Sequence, residues 1–159
     1  MWQKLNRMQK LSIHNISISD SELSIIGSLP ELESLTLNKC DLSIADGLEK
    51  AVKLQYLDLS NNSISNIDAL RNLNTLNKLI LHRNVVSDLS SLSSCTALTY
   101  LDVSFNVLTS LDPIYSLTSL QTLNADENEI ETVAFTGEMT DLQYLSFSFS
   151  MAVDDPTQL

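Results

Sequence analysis

The stretch LQYLDLSNNSISNIDALRNLNT, running from Leu54 to Thr75, decides the fold. Numbered from Leu54 as position 1, its apolar residues fall at positions 1, 4, 6, 11, 14, 17 and 20, and Asn62 falls at position 9. The next 22 residues repeat the pattern with Leu76, Leu79, Leu81, Asn84, Val86, Leu89, Leu92 and Cys95. The unit after that supplies Leu98, Leu101, Val103, Asn106, Leu108, Leu111, Ile114 and Leu117. Upstream, the unit from Leu32 carries Cys40 where the others have Asn; downstream, the unit from Leu120 has Ala125 at position 6 and Asn128 at position 9. A looser 24-residue unit starts at Met8 with Leu11, Ile13, Ile16 and Ile18, and a seventh begins at Leu142 and fades after Phe147. A constant period of this length takes precedence over any local helix or strand assignment, because each unit buries its apolar face only against its neighbours.

Within a unit, apolar positions 4 and 6 alternate with polar 3, 5 and 7, the pattern of a short strand with one buried face. Stacked units place these strands side by side in a parallel sheet. From position 11 the apolar spacing is three, as in Ile64, Ile67, Leu70 and Leu73, which suits a tight 3₁₀-like return better than a 3.6-residue helix. Strands pack closer than the bulkier returns, so the stack curves with the sheet inside. Asn at position 9 follows each strand where the chain turns inward, and its amide both donates to and accepts from backbone groups. Asn62, Asn84, Asn106 and Asn128 are therefore expected to be structural, with Cys40 in the same ladder and Cys95 in the core.

The residues quoted above resemble the leucine-rich-repeat family, whose hallmark is LxxLxLxxNxL, and the 22-residue unit resembles its shortest regular class. That class includes the leucine-rich-repeat regulatory subunit of protein phosphatase 1, axonemal dynein light-chain-type proteins and bacterial internalins. The resemblance spans about residues 8–149. It implies an α/β solenoid, a right-handed leucine-rich-repeat arc with a concave parallel β-sheet and convex 3₁₀ or turn returns. It also implies a single domain over residues 1–159, with repeats starting near 8, 32, 54, 76, 98, 120 and 142. Function is much less constrained, since one fold serves many partners.

Composition narrows the functional classes. Twenty acidic residues against nine basic ones give a net charge of −11, which argues against a nucleic-acid partner. All nine Lys and Arg lie at or before Arg83, whereas the eleven acids from Asp88 onward meet no basic residue. With 43% hydrophobic residues the chain can bury a core. No apolar run reaches the roughly 18 residues of a membrane span, so no membrane partner is expected. Only Gly27, Gly47 and Gly137 are glycines, too few for a phosphate-cradling loop. Cys40 and Cys95 fall about 10 Å apart on the repeat pattern, beyond disulfide reach, which favours a reducing compartment. Cytoplasmic localisation is expected, or an extracellular one for an internalin-like protein.

Binding is expected on the outward positions 3, 5, 7 and 8 of the sheet. Tyr56, Tyr100 and Tyr144 form an aromatic stripe at position 3, joined by Phe105 and Phe149 at position 8. Lys78, His82 and Arg83 make a basic island flanked by Asp58 and Asp102, either docking an acidic or phosphorylated segment or pairing internally with those two carboxylates. Ile80 is apolar on a polar face, a common mark of contact. Asp126, Glu127, Glu129 and Glu131 form an acidic end that either steers a basic partner or is a solvated edge.

Catalysis finds no support in the pattern. His14 and His82 lie about 14 Å apart and cannot share a metal, and neither cysteine falls beside a His. Asp58 and Asp102, about 10 Å apart, approach the spacing of inverting glycosidases but sit on a shallow face. The run DENEIE from Asp126 lacks the spacing of a calcium loop. No enzyme activity, metal or cofactor is expected. Two glycosylation sequons, at Asn15 and Asn61, fall on concave position 8, where glycans would cover the binding face.

A strip of seven strands, each about five residues long, offers about 560 Å². A standard interface takes about 800 Å² per partner, which calls for added repeats or use of the flanking turns. Both ends break off inside the pattern. Trp2, Leu5 and Met8 continue the spacing of a preceding return, or else Lys4, Arg7 and Lys10 make a basic amphipathic cap; the tail SFSFSMAVDDPTQL holds no polar capping helix. A piece of a longer array, or end-to-end self-association, is expected. The leading expectation is a protein-binding scaffold, its partner's basic region facing the C-terminal repeats. By resemblance the partner is a phosphatase catalytic subunit or a cytoskeletal motor component. The rivals are a secreted internalin-like adhesin, suggested by Leu111-Asp112-Pro113-Ile114, and a purely structural array segment.

Overall fold

A computed structural model of the protein describes residues 5–130 and 139–148. Trp2, Lys4, Glu131 and Phe149 lie outside the described residues. Seven strands form one parallel sheet in sequence order: β1 (Lys10–His14), β2 (Ser34–Asn38), β3 (Tyr56–Asp58), β4 (Lys78–Ile80), β5 (Tyr100–Asp102), β6 (Thr122–Asn124) and β7 (Tyr144–Ser146). The register follows the repeat: Lys10 faces Ser34, Ser34 faces Tyr56, Tyr56 faces Lys78, Lys78 faces Tyr100, Tyr100 faces Thr122 and Thr122 faces Tyr144. The chain is thus an α/β solenoid arc, with the sheet on one side and the returns on the other.

Three returns tighten into 3₁₀ turns at Asp68–Leu70, Ser90–Leu92 and Asp112–Ile114, as the spacing of three predicts. The first return differs: it is an α-helix, α1 (Asp20–Gly27). Two extra residues in the 24-residue unit give room for the wider helical turn. A capping box nucleates it, Ser19 N donating to Glu22 Oε2 at 2.9 Å and Glu22 N to Ser19 Oγ at 3.4 Å. The signature Ser-x-x-Glu stands in the sequence ahead of Leu23 and Ile26, which α1 buries.

Strand positions 4 and 6 point into the stack. Leu57, Leu59, Leu79, Leu81, Leu101 and Val103 are all fully buried, as are Ile64, Leu70 and Leu73 from one return. Each such aliphatic side chain contributes about 1.5–3 kcal/mol of transfer free energy. Leu11 and Ile13 of β1 and Leu142 and Leu145 at β7 are only partly buried.

The position-9 ladder closes the backbone accounting between turns. Nδ2 of Asn106 donates to Leu81 O at 3.0 Å and Val103 O at 2.9 Å, while its Oδ1 accepts from Val86 N at 2.9 Å. Asn62, Asn84 and Asn128 bridge equivalent groups. Cys40 fills the same rung with a thiol, Sγ lying 3.5 Å from Ile13 O. Among the described residues, no buried side-chain nitrogen or oxygen lacks a hydrogen-bond partner.

Candidate functional site

The residues just before the ladder adopt a conformation that sequence reading did not anticipate. Position 8 holds a left-handed backbone in six successive units: φ is +57° at Asn15, +54° at Lys39, +57° at Asn61, +54° at Arg83, +55° at Phe105 and +54° at Glu127. Asn tolerates this region and most side chains do not. The turn out of the strand imposes it, because each position-8 amide must donate to the next unit, as Asn61 N does to His82 O and Arg83 N to Ser104 O. The two sequon residues, Asn15 and Asn61, therefore have a backbone reason to be Asn, and no glycan is needed to explain them.

At position 3, the parallel register sets Lys78 between Tyr56 and Tyr100. Its ammonium lies 3.9 Å from the Tyr100 ring centroid and 5.9 Å from that of Tyr56, a cation–π sandwich. Partial burial, then the neighbouring Asp58 or Asp102 carboxylate, pushes both tyrosine hydroxyls above their ordinary pKa, so they stay neutral donors. Tyr144, 53% exposed, stands two strands beyond Tyr100 on β7.

At position 5, Asp58 and Asp102 flank Ile80 in register. Each carboxylate is fixed by its own strand. Asp58 Oδ1 accepts from Ser60 N at 2.9 Å and Ser60 Oγ at 2.5 Å; Asp102 Oδ1 accepts from Ser104 N at 3.0 Å and Ser104 Oγ at 2.5 Å. At position 7, His82 Nδ1 is 2.8 Å from Ser104 Oγ. The Ser104 proton is committed to Asp102, so His82 carries its proton on Nδ1 and turns Nε2 the other way. The His82 ring meets Phe105 edge-on with centroids 5.2 Å apart, and the Arg83 guanidinium lies 5.0 Å from the same ring's centroid.

Internal pairing between the basic island and the two Asp is thus not what the structure contains. Among the described residues, the ion pairs are Lys53–Glu31 and Arg71–Asp68, and neither touches this face. The cations rest on aromatic rings and the carboxylates on serines. Asp126 is also engaged locally, both oxygens accepting from Ser146 Oγ at 2.8 Å. Glu127 and Glu129 follow it at the same end of the arc.

Two contact candidates were missed by the sequence reading. Val85 and Val107, at position 10 of adjacent units, are 45% and 37% exposed, and Phe105, at position 8, is 42% exposed. The signal was available: other units hold Ser63 or Glu129 there, so an aliphatic at position 10 departs from the pattern.

The family model described as Leucine Rich Repeat matches residues 53–73. The chain is a leucine-rich-repeat solenoid. Solved leucine-rich-repeat structures resemble it over nearly its whole length. An internalin of Listeria monocytogenes is 29% identical, with a TM-score of 0.66 over 92% of this chain and 48% of its own. A leucine-rich-repeat protein of Leptospira interrogans is 25% identical, with a TM-score of 0.81 over 91% of this chain and 38% of its own. Internalin C2 of Listeria monocytogenes shares the fold at 21% identity, with a TM-score of 0.74 over 94% of this chain and 77% of its own. This leucine-rich-repeat chain thus spans less than half of the first internalin and of the Leptospira protein. A search of the curated proteins finds no match.

Proposed function

We propose that this protein is a non-catalytic scaffold that binds a protein partner on its concave sheet and the adjoining rim. The observation that carries the reading is the Tyr56–Lys78–Tyr100 sandwich, seconded by Arg83 over Phe105. Partly exposed aromatic and basic side chains are there held in fixed geometry without counter-ions, which lowers the entropy cost of docking. Val85, Val107 and Phe105 supply apolar area that the narrow strip lacks, bringing the footprint closer to a standard interface.

Charge orients the partner. The acids of the C-terminal units meet no basic residue there, so the partner's basic region lies over β6 and β7, and association slows as salt is raised. The likeness to a Listeria internalin at 29% identity supports a second reading, a secreted internalin-like adhesin, over the phosphatase-regulatory and axonemal ones. An affinity pulldown comparing wild type with a Tyr56→Ala, Arg83→Ala, Tyr100→Ala triple variant tests the face. Specific partners captured by wild type should be lost by the variant. Equal retention removes the concave-face assignment.

A further inference from the structure

The outward faces of β3, β4 and β5, with the residues that follow them, form a nearly symmetric array. The first row is Tyr56, Lys78, Tyr100; the second is Asp58, Ile80, Asp102; the third is Ser60, His82, Ser104, with Arg83 beside it. β3 and β5 present the same Tyr, Asp and Ser, and β4 alone differs between them. Along β4 the rows therefore read positive, then an apolar floor between two carboxylates, then a His and an Arg. Rows two residues apart along a strand are about 6.7 Å apart, the same pitch as alternate side chains of any extended peptide.

Resting on the scaffold reading above, we infer that the array receives an extended segment of the partner, laid along β4, with an acidic, a basic and an acidic side chain at alternate positions. The first acidic residue meets Lys78 between the two tyrosine rings. The basic residue lays its aliphatic stem on Ile80 and its cation between Asp58 and Asp102, which are about 10 Å apart across two strand spacings. The second acidic residue meets the Arg83 guanidinium, which lies against the Phe105 ring. The charges that would complement this segment are held ready, since none of them is spent on an internal ion pair among the described residues. Asp58 and Asp102 cannot swing toward Lys78 without giving up the hydrogen bonds from Ser60 and Ser104.

The test titrates the intact protein with short capped peptides, followed by amide chemical shifts. The probe is Ser-Glu-Thr-Lys-Thr-Glu-Ser, compared with its charge-inverted form, a form with Lys moved one place, and a form with norleucine for Lys. The alternating peptide should bind about tenfold tighter than the inverted and shifted ones, with shifts centred on Lys78, Ser60 and Ser104. The double variant Asp58→Asn, Asp102→Asn should abolish the preference for Lys over norleucine. It keeps the Oδ1 acceptor, and Asn124 already fills this position, accepting from Asp126 N at 3.1 Å, so the fold should survive. Equal binding of the inverted or shifted peptide would overturn the inference. So would a Lys preference that survives the double variant, or no binding at about 5 mM, too weak even for a fragment of an interface. If the peptides fail while the triple variant still loses its protein partner, the scaffold reading stands and only the alternating segment falls.

Discussion

Asn84 is tied to Ile64, twenty residues upstream, by a hydrogen bond of 2.9 Å from the Ile64 amide to its side-chain oxygen. Its amide nitrogen donates in turn to Leu59 O at 3.0 Å and Leu81 O at 2.9 Å, so one buried side chain joins two units at three points. Asn84→Ala leaves the buried Ile64 amide without a partner and takes one of two side-chain donors from each carbonyl, since Leu59 O still accepts from Asn62 Nδ2 at 2.8 Å and Leu81 O from Asn106 Nδ2 at 3.0 Å. A loss of about 2–4 kcal/mol is expected from urea unfolding, because the orphaned Ile64 amide keeps its desolvation cost and two further hydrogen bonds to buried carbonyls are lost. An exposed control such as Asn74→Ala should change stability by less than about 0.5 kcal/mol.

Phe105 presents the opposite case, a side chain whose backbone would prefer another residue. At φ +55° a Phe carries a strain of order 1 kcal/mol that Asn largely avoids. Phe105→Asn, the residue that Asn61 already supplies in the same register, should leave stability unchanged or raise it by up to about 1 kcal/mol. Partner capture should fall, since Arg83 and His82 lose their platform. A thermal melt and a binding assay on one variant separate the two effects.

Gly27 marks where α1 meets the next return. A Cβ there would overlap the carbonyl oxygen of Gly47, and Gly47 itself holds φ +106° against the backbone of Ser24. Gly27→Ala must therefore push backbone against backbone. A destabilisation of about 3 kcal/mol is expected, although Ala is the better helix former in isolation. Circular dichroism melts of the single variant give the value.

Burial pushes the Cys95 thiol up to about 11. Its folded pKa exceeds its unfolded one, so the associated stability is intact below about pH 9 and is lost as pH rises toward 11. At pH 8 only about one thiol in a thousand is ionised. Alkylation by iodoacetamide at pH 8 should therefore wait on unfolding and accelerate sharply in urea. Fast labelling of Cys95 in the native state would contradict the burial.

The fold was legible because a period of 22 residues leaves the register no freedom: a slip of one place would turn Leu57 and Leu59 outward and Asp58 inward. The Asn ladder was legible for the same reason, its amide standing where a turn leaves backbone groups unpaired. Less could be read from the first return. The spacing of Leu11, Ile13, Ile16 and Ile18 carries no trace of the Ser19-to-Glu22 box, which is local chemistry and not periodicity. The positive φ at position 8 was hidden because Lys39, Arg83, Phe105 and Glu127 have no preference for it; the solenoid imposes it on whatever residue falls there. At the candidate site, register put Lys78 between two tyrosines. Whether its ammonium met rings or carboxylates depended on Ser60 and Ser104, whose hydroxyls hold Asp58 and Asp102, and a one-dimensional charge count cannot weigh that competition.

The parallel register carries one further consequence, for the unit from Leu76 to Ala97. Deleting those 22 residues would splice Thr75 to Leu98 and keep every strand in step, because the offset between neighbours is the length removed. β3 would then lie directly against β5, setting Tyr56 opposite Tyr100 and the Asp58 carboxylate opposite that of Asp102 at about 4.8 Å. Like charges at that separation repel across a sheet. The fourth unit thus acts as an insulator, keeping apart two identical, mutually repelling faces and placing its own lysine in the gap.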